Sequence, residues 1–142
     1  MKSFLRIASL AALVLTFAGC CACRHGAKKS RLPLAGTRWN LVQLGGKTLQ
    51  NDPERFTVVF RDEERRLAGV GACNRLTGSY ETDGKRTLTI GRIAATRMAC
   101  PDLELEGAFI RTLERVVRYD MDGDMLLLFS DEGLTAVFQG RP

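Results

Sequence analysis

Histidine is the side chain that most readily handles protons near neutral pH, and this chain has one, His25, in a basic stretch near its start. No imidazole therefore follows residue 34, and neither a Ser-His-Asp nor a Cys-His arrangement can be assembled there. The serines of that region, Ser79 and Ser130, sit in no G-x-S-x-G turn. Phosphate-loop and dinucleotide fingerprints are absent. Cys73 and Cys100 without histidine are too few for a zinc site. The carboxylate pairs Glu104/Glu106 and Asp122/Asp124 fall where a helix start and a turn place solvated acids, so two-carboxylate hydrolysis finds no support. These residues point to a chain that is not an enzyme and takes neither cofactor nor metal.

Two segments still concentrate polar chemistry: GVGACNRLTGSY (Gly69 to Tyr80) and ATRMACPDLELEGAF (Ala95 to Phe109). Two readings stand for the first. Asn74 and Arg75, with Thr96 and Arg97, are candidate binding contacts in a small groove. Equally, Asn74 satisfies backbone groups at a bulge while Arg75 points to water.

The elements that must position these residues are mostly strands. TRWNLVQL (Thr37 to Leu44) alternates, with Trp39, Leu41 and Gln43 on one face, before Gly45-Gly46 turns the chain. FTVVF (Phe56 to Phe60) is β-branched and aromatic, as a half-buried strand prefers. RDEERR reads as a turn, and Leu67 to Thr82 as a strand-like stretch whose glycines mark bulges or close backbone approach. A TLTI strand follows the Asp83-Gly84 turn, and Arg92 to Cys100 is irregular. From Asp102, a candidate cap behind Pro101, the residues Leu105, Phe109, Leu113 and Val116 fall at helical spacing, and Glu114 and Arg118 form an i,i+4 pair. Strands at Arg118 to Met121, Met125 to Ser130 and Leu134 to Phe138 close the chain. The fold class is mainly β (α+β): antiparallel strands curled into a small barrel or bent sheet, with one helix packed on it.

The start of the chain has a separate meaning. Lys2 and Arg6 precede an apolar run from Ile7 to Phe17, which is shorter than the roughly 20 residues that cross a bilayer and reads as a cleaved export signal. Phe17-Ala18-Gly19-Cys20 resembles a lipobox, with Phe17 where Leu is usual. The expected organisation is a signal peptide over 1–19, lipidation at Cys20, a basic tether over 20–34 and one domain over 35–142. Acyl chains on Cys20, at about 0.8 kcal/mol per buried CH₂, hold such a protein at a membrane. By resemblance to Gram-negative sorting rules, Cys21 rather than Asp after Cys20 implies the outer rather than the inner membrane, facing the periplasm. The formal charge of +5 suggests an acidic partner at first sight, but six of the 21 basic residues lie at or before Arg31. The domain keeps 15 Lys plus Arg against 16 Asp plus Glu, a net charge of −1, and nucleic acid is not an expected partner. In an oxidising compartment Cys73 and Cys100 are best read as a disulfide, adding about 3–4 kcal/mol by loop closure. Neighbouring buried thiols and a redox-active pair are the weaker alternatives.

The same motifs resemble the META domain family of HslJ-like proteins. The likeness runs through L-x-G-T-x-W (Leu34 to Trp39), G-x-x-x-C-N-R-x-x-G-x-Y (Gly69 to Tyr80), T-R-M-x-C-P (Thr96 to Pro101), E-x-x-F-x-x-x-L (Glu106 to Leu113) and a D-x-L-x-L-like strand near Asp124. Ala72 stands where a bulkier residue or glycine is common. The resemblance implies a compact β-rich fold with a helix, an envelope location, an association with heat or antibiotic stress, and no established enzymatic activity. Family residues carry over as Cys73, Asn74, Arg75, Thr96, Met98 and Cys100, with no role defined for them. The expectation is a monomeric, non-enzymatic envelope lipoprotein that meets the membrane through its anchor and binds a protein or small-molecule partner. The alternative is a small-ligand carrier that uses the interior of a lipocalin-like barrel.

Overall fold

The computed structural model describes residues 32–141. The expected signal peptide 1–19, the expected lipidation site Cys20 and most of the expected tether 20–34 lie outside the described residues. Strands β1 (Arg38–Leu44), β2 (Lys47–Thr48), β3 (Thr57–Arg61), β4 (Arg66–Val70), β5 (Arg75–Thr82), β6 (Leu88–Ile90) and β7 (Ala94–Ala95) precede helix α1 (Leu103–Glu114). Strands β8 (Arg118–Asp122), β9 (Met125–Ser130) and β10 (Gly133–Arg141) follow it. They form one antiparallel sheet in the order β6-β5-β4-β3-β1-β10-β9-β8, with β2 on β1 and β7 on β5. The two ends of that path nearly meet. Leu88 N donates to Val117 O (3.2 Å) and Tyr119 N to Arg86 O (2.8 Å), and Thr87 bridges Arg118. The mainly β fold with one helix is thus a nearly closed barrel, which leaves little of its edges open to pairing.

Apolar residues at alternate positions explain why the sheet closes on itself. Val58, Phe60, Leu67, Leu126, Leu128 and Phe138 are fully buried. Trp39 joins them and donates Nε1–H to Leu34 O (2.9 Å), so its one polar atom is satisfied. Phe60 and Tyr80 meet edge to face at 5.0 Å. Burial and the hydrogen bond to Asp62 (2.7 Å) push the Tyr80 phenol up to about 12. These side chains lie in the interior of the barrel. Open cavities of about 440 and 480 Å³ are lined by turn and rim residues such as Asp62, Asp83 and Glu114.

Several local expectations are corrected. A bulge between Leu41 and Gln43 shifts the phase of β1, and Leu44 rather than Gln43 is buried. The stretch Leu67 to Thr82 is two strands, β4 and β5, paired as a hairpin from Arg66↔Ser79 to Val70↔Arg75. The helix ends at Glu114, so Arg118 belongs to β8 and the expected i,i+4 pair does not form. Glu114 accepts from Ile93 N (2.8 Å), and the Arg118 guanidinium lies 3.8 Å from the centre of the Phe129 ring. Asp102 is the N-cap residue but makes no side-chain cap; its carboxylate pairs with Arg55. Leu32, Leu34 and Ala35 pack against the core, so ordered packing reaches back into the segment read as tether.

The expected helical stripe does seat α1. Phe109 is fully buried, 5.5 Å edge to face from Phe56 and 6.1 Å from Phe138, and Leu113 is fully buried one turn later. Glu106 lies on the same stripe, three residues before Phe109, and α1 thereby carries a carboxylate to the turn between β4 and β5.

Candidate functional site

Between Val70 and Arg75 the chain must reverse, and residues 71–74 contain no standard two-residue turn pair. What shapes this turn comes from elsewhere in the chain. Glu106, 4% exposed, reaches from α1 into the loop. Its Oε2 accepts the backbone N–H groups of Ala72 (2.8 Å), Cys73 (3.2 Å) and Asn74 (3.1 Å). Its Oε1 accepts from the Asn74 side-chain amide at 2.7 Å. Three successive N–H groups aimed at one oxygen form an anion nest, and the chain's own carboxylate fills it. Gly71 N closes the turn on Asn74 O (2.8 Å). A Cβ at Gly71 would stand 2.6 and 2.7 Å from Glu106 Cγ and Cδ, which is why glycine is needed there.

Burial by itself raises the Glu106 carboxyl. The Asn74 side chain, followed by the Cys73, Asn74 and Ala72 N–H groups, brings it below its ordinary value of 4.5. Glu106 is therefore charged at neutral pH with its oxygens occupied. A base needs a free lone pair facing substrate, and this carboxylate turns its oxygens inward.

Asn74 extends the network to the second segment. It is 2% exposed, and its Oδ1 accepts from Thr96 Oγ1 (2.8 Å) and Met98 N (2.7 Å). Its Nδ2 also donates to Met98 O (3.3 Å). Thr96 and Arg75 exchange bonds as well: Arg75 N donates to Thr96 Oγ1 and Thr96 N to Arg75 O, both at 3.1 Å. Cys73 and Cys100 stand at disulfide distance, with Cα atoms 6.4 Å apart. On the outside, Arg55 donates Nε–H to Ala72 O (3.0 Å) and pairs with Asp102. The two segments are thus knotted together by one carboxylate, one amide, one hydroxyl and two sulfurs.

The four candidate contact residues consequently separate. Asn74 and the Thr96 hydroxyl are bonded inside the knot, Asn74 to the Met98 backbone, Thr96 and Glu106. Arg75 and Arg97 are exposed. The residue that the pattern reading overlooked is Glu106, placed among solvated helix-start acids although it is buried. Its signal was the stripe Glu106, Phe109, Leu113, which puts it on the packed face of α1. Among the described residues, no group of three His, Cys, Asp or Glu could hold a metal ion, and no helix is long and apolar enough to cross a membrane.

Comparison with known proteins places this architecture. The chain is similar to a Burkholderia xenovorans protein solved by NMR, at 28% identity and a TM-score of 0.58, over 76% of this chain and 83% of that one. A second protein solved by NMR is 22% identical over 75% and 90% of the two chains, with a TM-score of 0.56. A DUF4847 family protein from Bacteroides vulgatus is 20% identical over 75% and 93%, with a TM-score of 0.59, which shows a shared fold. No curated protein matches. The family model of the META domain matches residues 32–142, from the first packed leucine through the whole barrel. With the paired segments and their knot inside that span, the chain belongs to the META domain family.

Proposed function

We propose that this chain is a non-enzymatic, lipid-anchored envelope protein whose META domain binds a partner and supports tolerance of envelope stress. Acylation at Cys20 holds it at the membrane, with the outer membrane favoured, and the domain works as a monomer in the periplasm. One observation carries the non-catalytic part of this reading. The groups in the two paired segments best suited to chemistry, Glu106 and Asn74, are buried and hydrogen-bonded to the chain itself. The likeness of Phe17 to Cys20 to a lipobox supports the anchor. The knot, which an oxidising periplasm would lock through Cys73–Cys100, suits a rigid recognition module.

Deletion of the gene tests the reading. It predicts increased sensitivity to heat or envelope-active antibiotics, restored by the wild-type chain and not by Cys20→Ala. Unchanged sensitivity after deletion would count against it.

A further inference from the structure

Met98 is 60% exposed, the most exposed of the large apolar side chains among the described residues. A single exposed apolar residue is ordinary; the backbone beneath this one is not. Met98 N and O are both bonded to the Asn74 side chain (2.7 and 3.3 Å), and that amide is itself fixed by Glu106 and Thr96. Two residues later Cys100 joins Cys73. A buried amide, a buried carboxylate and a disulfide thus hold in place a segment whose central side chain lies in water. Ordering of loops and side chains is a main cost of association, so a backbone already fixed lowers the cost of docking through Met98.

The surroundings say what could dock. Arg97 precedes Met98, and Arg75 stands opposite Thr96 across their reciprocal backbone and hydroxyl bonds. Both arginines are exposed, and among the described residues neither guanidinium has an ion-pair partner: the pairs formed are Arg55–Asp102, Arg66–Glu64 and Arg86–Asp120. The carboxylate nearest in the network, Glu106, is buried and occupied. Guanidinium groups bind carboxylates with two parallel hydrogen bonds. Methionine fits irregular apolar pockets, and arginine and methionine are enriched in the cores of protein interfaces.

We propose that Met98, with Arg97 before it in the chain and Arg75 bonded through its backbone to Thr96, is the docking point for a protein partner that offers an apolar pocket rimmed by carboxylates. This rests on the partner-binding function above and specifies its surface and chemistry.

The test uses the full-length chain in intact cells, with a photocrosslinking residue as Met98→benzoylphenylalanine and, as control, Leu134→benzoylphenylalanine on β10, a position 46% exposed. Expected is a protein adduct at position 98 that is absent at 134, joined to a peptide rich in Asp and Glu. The pair Arg75→Glu with Arg97→Glu lowers its yield about tenfold or more, as for close charge pairs worth at least one decade of affinity. Unchanged thermal unfolding of the purified double variant keeps the loss assignable to docking, since neither guanidinium supports the fold. No adduct at 98, an adduct only to lipid or to a second copy of the chain, the same adduct at both positions, or a yield indifferent to charge reversal each overturns the proposal. Fractionation of the same cells separates the two ideas. An anchored chain without the adduct removes this docking surface alone, whereas a chain not held at the membrane removes the envelope-lipoprotein reading.

Discussion

Glu106 carries a charge into a place from which water is nearly excluded, and that desolvation is offset by four N–H donors. Glu106→Ala would leave those donors facing a void. The expected loss is about 3 kcal/mol or more, read as a lower midpoint of urea unfolding, because buried unsatisfied donors cost about 1–3 kcal/mol each. The pH dependence follows from the same bonds. The folded carboxyl sits below 4.5 and the unfolded one near it, so the unfolded chain takes the proton first as pH falls. This contribution to stability is complete above that value and lost as pH drops through the folded one. Melting temperatures between pH 6 and pH 3 should therefore fall more steeply for the wild type than for Glu106→Gln, and parallel curves would contradict the assignment. At this scale the sequence was half legible. Asn74 stood out because it follows a cysteine between glycines, and its two possible uses could be written down. Glu106 was overlooked because acids are favoured in the first turn of a helix on electrostatic grounds alone, and that expectation concealed its place in the stripe with Phe109.

Helix α1 contributes to the fold through Phe109, which touches Phe56 and Phe138, and to the knot through Glu106 one turn earlier. Phe109→Ala is expected to cost about 3–5 kcal/mol, seen as a large drop in the thermal midpoint; a change below about 1 kcal/mol would mean that the helix is not seated by this ring. Removing the bridge by Cys73→Ser opens a loop of sequence separation 27, and the expected loss is about 3–4 kcal/mol on the loop-entropy model. Unfolding in the presence and absence of reductant should bring wild type and variant to the same midpoint only when reductant is present. The strands could be read from alternation, as could the helix from its stripe, because both periods are local properties. Residues 71–74 could not be recognised as a turn, since their donors are organised by a side chain more than thirty residues away. The phase of β1 was lost at the bulge after Leu41, where the two-residue period that pointed Gln43 inward breaks and Leu44 takes that place.

At the scale of the whole molecule, the barrel interior is filled with large side chains and the domain is close to electrical neutrality. The architecture was legible because apolar alternation recurs from Trp39 to Phe138 with a single helical interruption. The function was less so, since the motif residues at the knot include side chains used to hold the fold. In the proposed arrangement a rigid, bridged META domain hangs from a lipidated cysteine. Mass spectrometry of the intact protein extracted from membranes, followed by peptide mapping after alkylation with and without reductant, tests both parts together. The predicted result is a mature chain that begins at Cys20 with the mass of its acyl groups, and a Cys73–Cys100 linkage that accepts alkylation only after reduction. A chain that retains residues 1–19 or lacks acyl mass, or one whose Cys73 and Cys100 alkylate without reductant, would contradict it.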